Sequence, residues 1–136
     1  MQLNLLEQQN KKRWIMSREI DMNGVSAVRL LLEMGKVDYE SKDSSGRSPL
    51  SLAAGKGRVP IFKLLLEMDG IDIEAKDHCG RTVLSWAAEK GSETIVKMLL
   101  TAGADVNAMD KDDQTALSWA SRMGHGAVIA LLQQSG

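Results

Sequence analysis

The chain has 136 residues, 43% of them apolar and 26% charged, with a formal net charge of −1. That is enough for one domain with a buried core and is ordinary for a soluble globular protein. Near-neutral charge offers no general attraction to nucleic acid or to an anionic membrane, and the single cysteine, Cys79, excludes an intrachain disulfide and a cysteine-based zinc site.

The chain opens with MQLNLLEQQNKKRW, whose longest apolar run is Leu5–Leu6. A signal peptide needs roughly 7–15 apolar residues and a spanning helix about 20, so neither is expected. With one cysteine suited to a reducing compartment, the cytoplasm or nucleus is the expected location. Residues 1–8 are expected to fray. Residues 9–22 read as a helix, with Trp14, Ile15 or Ile20 covering the helices C-terminal to it, and NGVSAVRLLLEMGKVD (23–38) reads as a second helix and its loop. Asn23 stands there where later copies have glycine, and Asn is the best non-glycine residue in a left-handed conformation.

From residue 39 one phrase comes round three times: SPLSLAAGKG (48–57), TVLSWAAEKG (82–91) and TALSWASRMG (115–124). Gly46 and Gly80 lie 34 residues apart, as do Gly57 and Gly91, while Gly91 and Gly124 lie 33 apart. Self-similarity at that period signals a stacked repeat array. Ser48, Thr82 and Thr115 are suited to cap an inner helix, Pro49 fits the first helical position, and Gly57, Gly91 and Gly124 suit a left-handed stop. A second helix carries PIFKLLLEM, TIVKMLLTA or AVIALLQQ, and Pro60 falls in the first turn of its copy, where it is tolerated. DYESKDSSGR, DIEAKDHCGR and DVNAMDKDDQ read as polar turns between units. Helices of this length are below the roughly 12–15 residues that persist alone in water. They must be held by their neighbours, through columns such as Leu50/Leu84/Leu117 and Ala53/Ala87/Ala120.

Asp77, Gly80, Thr82, Leu84, Ala87, Ala88, Gly91, Val96, Leu99, Leu100 and the run AGADVNA (102–108) together resemble the unit of the ankyrin-repeat family. The resemblance extends from about residue 23 to the end. It implies an all-α, ankyrin-type α-solenoid of stacked helix-turn-helix units with projecting β-turn loops. A tetratricopeptide array has a similar period but gives no reason for an Asp-x-x-Gly turn before each capped helix. The expected organisation is a single domain, 1–136: a degenerate N-terminal capping unit at 9–38, units at 39–72 and 73–105, and a C-terminal capping unit at 106–136. Gln133, Gln134, Ser121 and Asp113 mark the last unit as atypical, as a polar terminal cap would be.

The family has His where this chain has Ser51, Ser85 and Ser118. Serine is expected to return the capping bond to the N-cap amide; three equivalent serines without a partner histidine do not make a triad. His125 is expected to make a structural hydrogen bond. His78 and Cys79 are adjacent at a turn tip, without the further ligands of a metal site or the pocket of a hydrolase.

The resemblance implies non-catalytic recognition of a protein partner through turn tips and the concave surface of the inner helices. The candidate positions are Arg47, Lys56, His78, Arg81, Trp86, Glu89, Lys90, Lys111, Asp112, Gln114, Trp119, Arg122 and Met123. The turn-tip and pre-glycine positions among them, such as Arg47, Arg81 and Gln114 or Lys56, Lys90 and Met123, do not repeat through all three copies, while the scaffold does. For Trp86 and Trp119, which share a column with Leu52, burial between stacked helices is favoured over partner contact. No cofactor, nucleic acid or membrane is called for, and a monomer is expected. A fragment or a regulatory or scaffolding domain of a larger multidomain protein is the alternative.

Overall fold

The computed structural model describes residues 38–135. The segment 1–8 and the capping unit expected over 9–38, Asp38 excepted, lie outside the described residues. Six helices occur among those described: α1 (Pro49–Lys56), α2 (Val59–Leu66), α3 (Val83–Lys90), α4 (Glu93–Thr101), α5 (Ala116–Met123) and α6 (Gly126–Ser135). The described chain contains no strand, and the all-α repeat architecture stands.

Each inner helix starts and stops through local chemistry. Ser48, Thr82 and Thr115 have extended backbones, and their side-chain oxygens accept from the amides of Ser51, Ser85 and Ser118 at 3.2, 3.1 and 3.3 Å. At the other end Gly57, Gly91 and Gly124 take φ of 67°, 81° and 74°. The amides just beyond them, of Arg58, Ser92 and His125, close back onto Ala53, Ala87 and Ala120 carbonyls. The expected return bond from serine forms in one unit of three. Ser118 Oγ accepts from the Thr115 amide at 3.3 Å. Ser51 instead shares a hydroxyl contact with Ser48 at 2.8 Å, and Ser85 donates to the Thr82 carbonyl at 2.8 Å. The serine hydroxyl is too short to favour one partner over nearer ones.

The helices form two layers, with α1, α3 and α5 side by side in one and α2, α4 and α6 in the other. Ala53, Ala87 and Ala120 have no exposed surface, and they let the inner helices approach more closely than the outer ones. Ile61, Phe62, Leu65, Ile95, Val96, Leu99 and Val128 fill the space between layers. At roughly 1.5–3 kcal/mol for each large side chain removed from water, this shared core, rather than helix propensity, holds elements of eight to ten residues.

The loops repeat their own bonds from unit to unit. The His78 amide donates to the Ser45 carbonyl and the Lys111 amide to the Cys79 carbonyl, both at 3.0 Å. Glu40 accepts from the Asp72 amide and Glu74 from the Asp105 amide, again at 3.0 Å. At the turn position of Gly46 and Gly80, Asp113 also has positive φ, at 60°. Space explains why a side chain is tolerated only there. A Cβ on Gly46 would run into the His78 ring, and one on Gly80 would come within 3.1 Å of the Lys111 amide nitrogen. Asp113 is exposed.

Candidate partner-binding face

One aspartate staples each turn. The Oδ1 atoms of Asp43, Asp77 and Asp110 each accept two backbone amides, at 2.8 to 3.0 Å, from the residues two and four positions on. The second carboxylate oxygen reaches forward to the inner helix. Asp77 Oδ2 accepts from the Trp86 indole at 3.0 Å and Asp110 Oδ2 from the Trp119 indole at 3.1 Å. Leu52 holds the corresponding place in the first unit and has no side-chain N–H; there Arg47 Nε donates to Asp43 Oδ2 at 3.0 Å instead. Burial alone would raise the Asp110 carboxyl. The Gln114 amide, the Trp119 indole, the Asp112 amide and the Arg81 charge together outweigh it and hold the group below its ordinary value of 3.8.

With both indoles anchored by their edges, their faces define slots along the stack. The Arg81 guanidinium fills the slot between units two and three, 3.6 Å from the Trp86 ring centre and 4.0 Å from that of Trp119. Its Nη2 donates to Glu89 Oε2 at 2.7 Å and, at 3.4 Å, to the Ser85 carbonyl. Arg81 Nε is buried without an acceptor; the two π faces supply the compensating attraction for the cation. Arg47 stands 5.9 Å from the centre of the Trp86 ring, and Arg122 lies 5.1 Å from that of Trp119. The result is an Arg47–Trp86–Arg81–Trp119–Arg122 ladder across three units.

This ladder sorts the sequence-derived candidates. Arg81, expected at an exposed turn tip, is only 8% exposed, because its side chain turns back from the tip into the slot between two indoles. Trp86 and Trp119 are half-buried with both hydrogen-bonding edge and face engaged, and Glu89 is half-buried against Arg81. These four hold units together. Lys56, Lys90, Arg122 and Met123 are exposed at the C-terminal ends of the inner helices, and His78, Lys111 and Asp112 are exposed at the tips. Arg47 and Gln114 are intermediate, Gln114 donating to the Asp112 carbonyl at 3.2 Å. The stapling role of Asp77 and Asp110 is not apparent from their place in the repeat. An aspartate nine residues ahead of each tryptophan is the signal that carries it.

His125 makes a structural hydrogen bond. Its Nε2 lies 2.9 Å from the Glu89 carbonyl, which can only accept, so that nitrogen carries the proton. Its ring sits where a Cβ on Gly91 would come within 2.6 Å. Cys79 and His78 are exposed. Among the described residues no group of three or more His, Cys, Asp or Glu could hold a metal ion, and no helix is long and apolar enough to cross a membrane. A hollow of about 90 Å³ between the first two loops, lined by residues including Tyr39, Glu40 and Asp72, is well below the roughly 300–1,000 Å³ of small-molecule sites.

Two-helix units, stacked in register and stapled by projecting turns, define a helical repeat protein of the solenoid class. Residues 16–77 and 72–136 match the family described as ankyrin repeats (3 copies), and the chain belongs to that family. No curated protein matches the chain. Ankyrin repeats generally serve as protein–protein interaction modules and are typically non-catalytic.

Proposed function

We propose that this protein recognises a protein partner, without catalysis, through the exposed ends of its inner helices and the adjoining turn tips. The observation that carries this reading is positional. Gly55, Glu89 and Arg122 occupy one column and Lys56, Lys90 and Met123 the next, so side-chain chemistry changes from unit to unit. The caps, glycine stops and alanine columns beneath stay the same. A face with that freedom, set on a scaffold locked by Arg81 and two indoles, is pre-organised and loses little conformational entropy on binding. In this reading the chain works as a monomer in the cytoplasm or nucleus.

The test is affinity capture with the wild-type chain beside a Lys90→Ala/Arg122→Ala/Met123→Ala variant whose thermal midpoint is measured in parallel. All three side chains are exposed, so the variant should melt close to wild type and lose the captured partners. Equal recovery by a folded variant would remove this face from the proposal.

A further inference from the structure

Four ties reach forward from each turn segment to the next unit. The Ser45 carbonyl accepts from the His78 amide and the Cys79 carbonyl from the Lys111 amide. Lys42 Nζ donates to the Lys76 carbonyl at 3.4 Å and Lys76 Nζ to the Met109 carbonyl at 3.3 Å. Arg47 and Arg81 set a cation against the indole of the following unit. Gly46 and Gly80 leave the room that the following turn occupies. Each tie is made twice.

The third unit differs at all four points. Its carbonyl in this series, that of Asp112, already accepts from Gln114 Nε2 at 3.2 Å. Met109, which has no side-chain donor, follows Lys42 and Lys76, and uncharged Gln114 follows Arg47 and Arg81. Asp113, at φ 60°, carries a side chain where even a Cβ on Gly80 would crowd the next turn's backbone at 3.1 Å. Ser121 adds an exposed hydroxyl to the column of Ala54 and Ala88, which have no exposed surface.

We infer that the forward side of the third unit is closed to stacking, so that another repeat unit, including one offered by a second copy of this chain, does not dock there in register. Such a stop has a physical purpose. Leu117 is half-buried, whereas Leu50 and Leu84 of the same column are covered, so apolar surface remains on that side. Unit-on-unit stacking is a head-to-tail contact, and contacts of that kind run on into filaments when nothing ends them. Met109, Asp113 and Gln114 withhold the hydrogen bonds, the space and the cation that a further unit would need. This closure is independent of the partner-binding face proposed above.

The test extends the full chain. A second copy of residues 104–136 appended after Gly136 continues the repeat in register, because Gly103 and Gly136 lie 33 residues apart, the spacing of Gly91 and Gly124. One extended chain keeps the third unit as it stands; the other carries Met109→Lys, Asp113→Gly and Gln114→Arg there. Met109 and Asp113 are exposed and Gln114 is intermediate, so the existing array should fold in both. Asp113→Gly/Gln114→Arg serves if the triple variant does not. In the altered chain the appended helices should gain about a hundredfold or more protection from hydrogen exchange, and the urea m value should rise with the added buried surface. In the unaltered chain the appended unit should exchange as unfolded chain, since helices this short do not persist alone. Equal protection of the appended unit in both chains would overturn the closure. Absence of protection in both would overturn its assignment to these three residues.

Discussion

Arg81, from the turn of the second unit, lies 4.0 Å from the ring centre of Trp119 in the third. The contact joins residues far apart in the chain, and it makes one unit's turn part of the next unit's packing. A desolvated cation–π contact is worth up to about 2 kcal/mol. A double-mutant cycle on Arg81→Met and Trp119→Leu should accordingly return a coupling of about 1–2 kcal/mol in urea unfolding. A coupling near zero would mean that the two side chains are neighbours without energetic consequence.

Trp86 gives a second expectation, because its indole N–H and its ring do separate jobs. Trp86→Phe keeps a ring beside Arg81 but leaves Asp77 Oδ2 without its 3.0 Å donor, which should cost about 1.5–3 kcal/mol. Trp86→Ala loses both and should cost more, about 3–5 kcal/mol if relaxation around the site is limited. Chemical denaturation of the two variants orders the terms; equal losses would assign the whole effect to the indole N–H bond and none to the ring.

Acid should weaken the third unit through Asp110. Its carboxyl titrates below the ordinary value of 3.8 in the folded chain, so the folded state favours the ionised form. The stabilisation is complete above the unfolded-state value and is lost as pH falls through the folded one. Asp110→Asn should therefore lower stability at neutral pH and flatten its decline below about pH 5. Parallel slopes for variant and wild type between about pH 6 and pH 3 would show that Asp110 is not linked to folding.

Installing and removing a glycine at the same turn position should have opposite signs. Asp113→Gly relieves a positive φ at an exposed position and should stabilise by about 0.5–1 kcal/mol. Gly80→Ala adds a side chain at φ 77°, within 3.1 Å of a backbone nitrogen, and should destabilise by more than about 1 kcal/mol. Thermal midpoints of the two variants decide the matter; a gain from Gly80→Ala would show that the loops yield freely.

Much of the architecture was legible because it is written in short-range rules. A hydroxyl residue, eight helical positions and a glycine mark each inner helix, and the period brings the columns into line. His125 was legible as a satisfied histidine for the same reason. Arg81 was not. Its position in the repeat places it at a tip, and only packing reveals that Trp86 and the later Trp119 leave a slot its guanidinium can fill. Asp43 shows the same limit. Whether its second oxygen takes an indole or an arginine depends on the residue nine positions on, a pairing that no local propensity expresses. The serine return bond failed in two units because hydroxyls a few ångströms apart have near-equivalent choices.

Which side of the stack meets the partner can be read directly by hydrogen–deuterium exchange on the full chain, alone and bound to its captured partner. Added protection is expected in α1, α3 and α5, strongest around Lys90 and Arg122, with α2, α4 and α6 little changed. Protection confined to α2, α4 and α6 would contradict recognition through the inner helices.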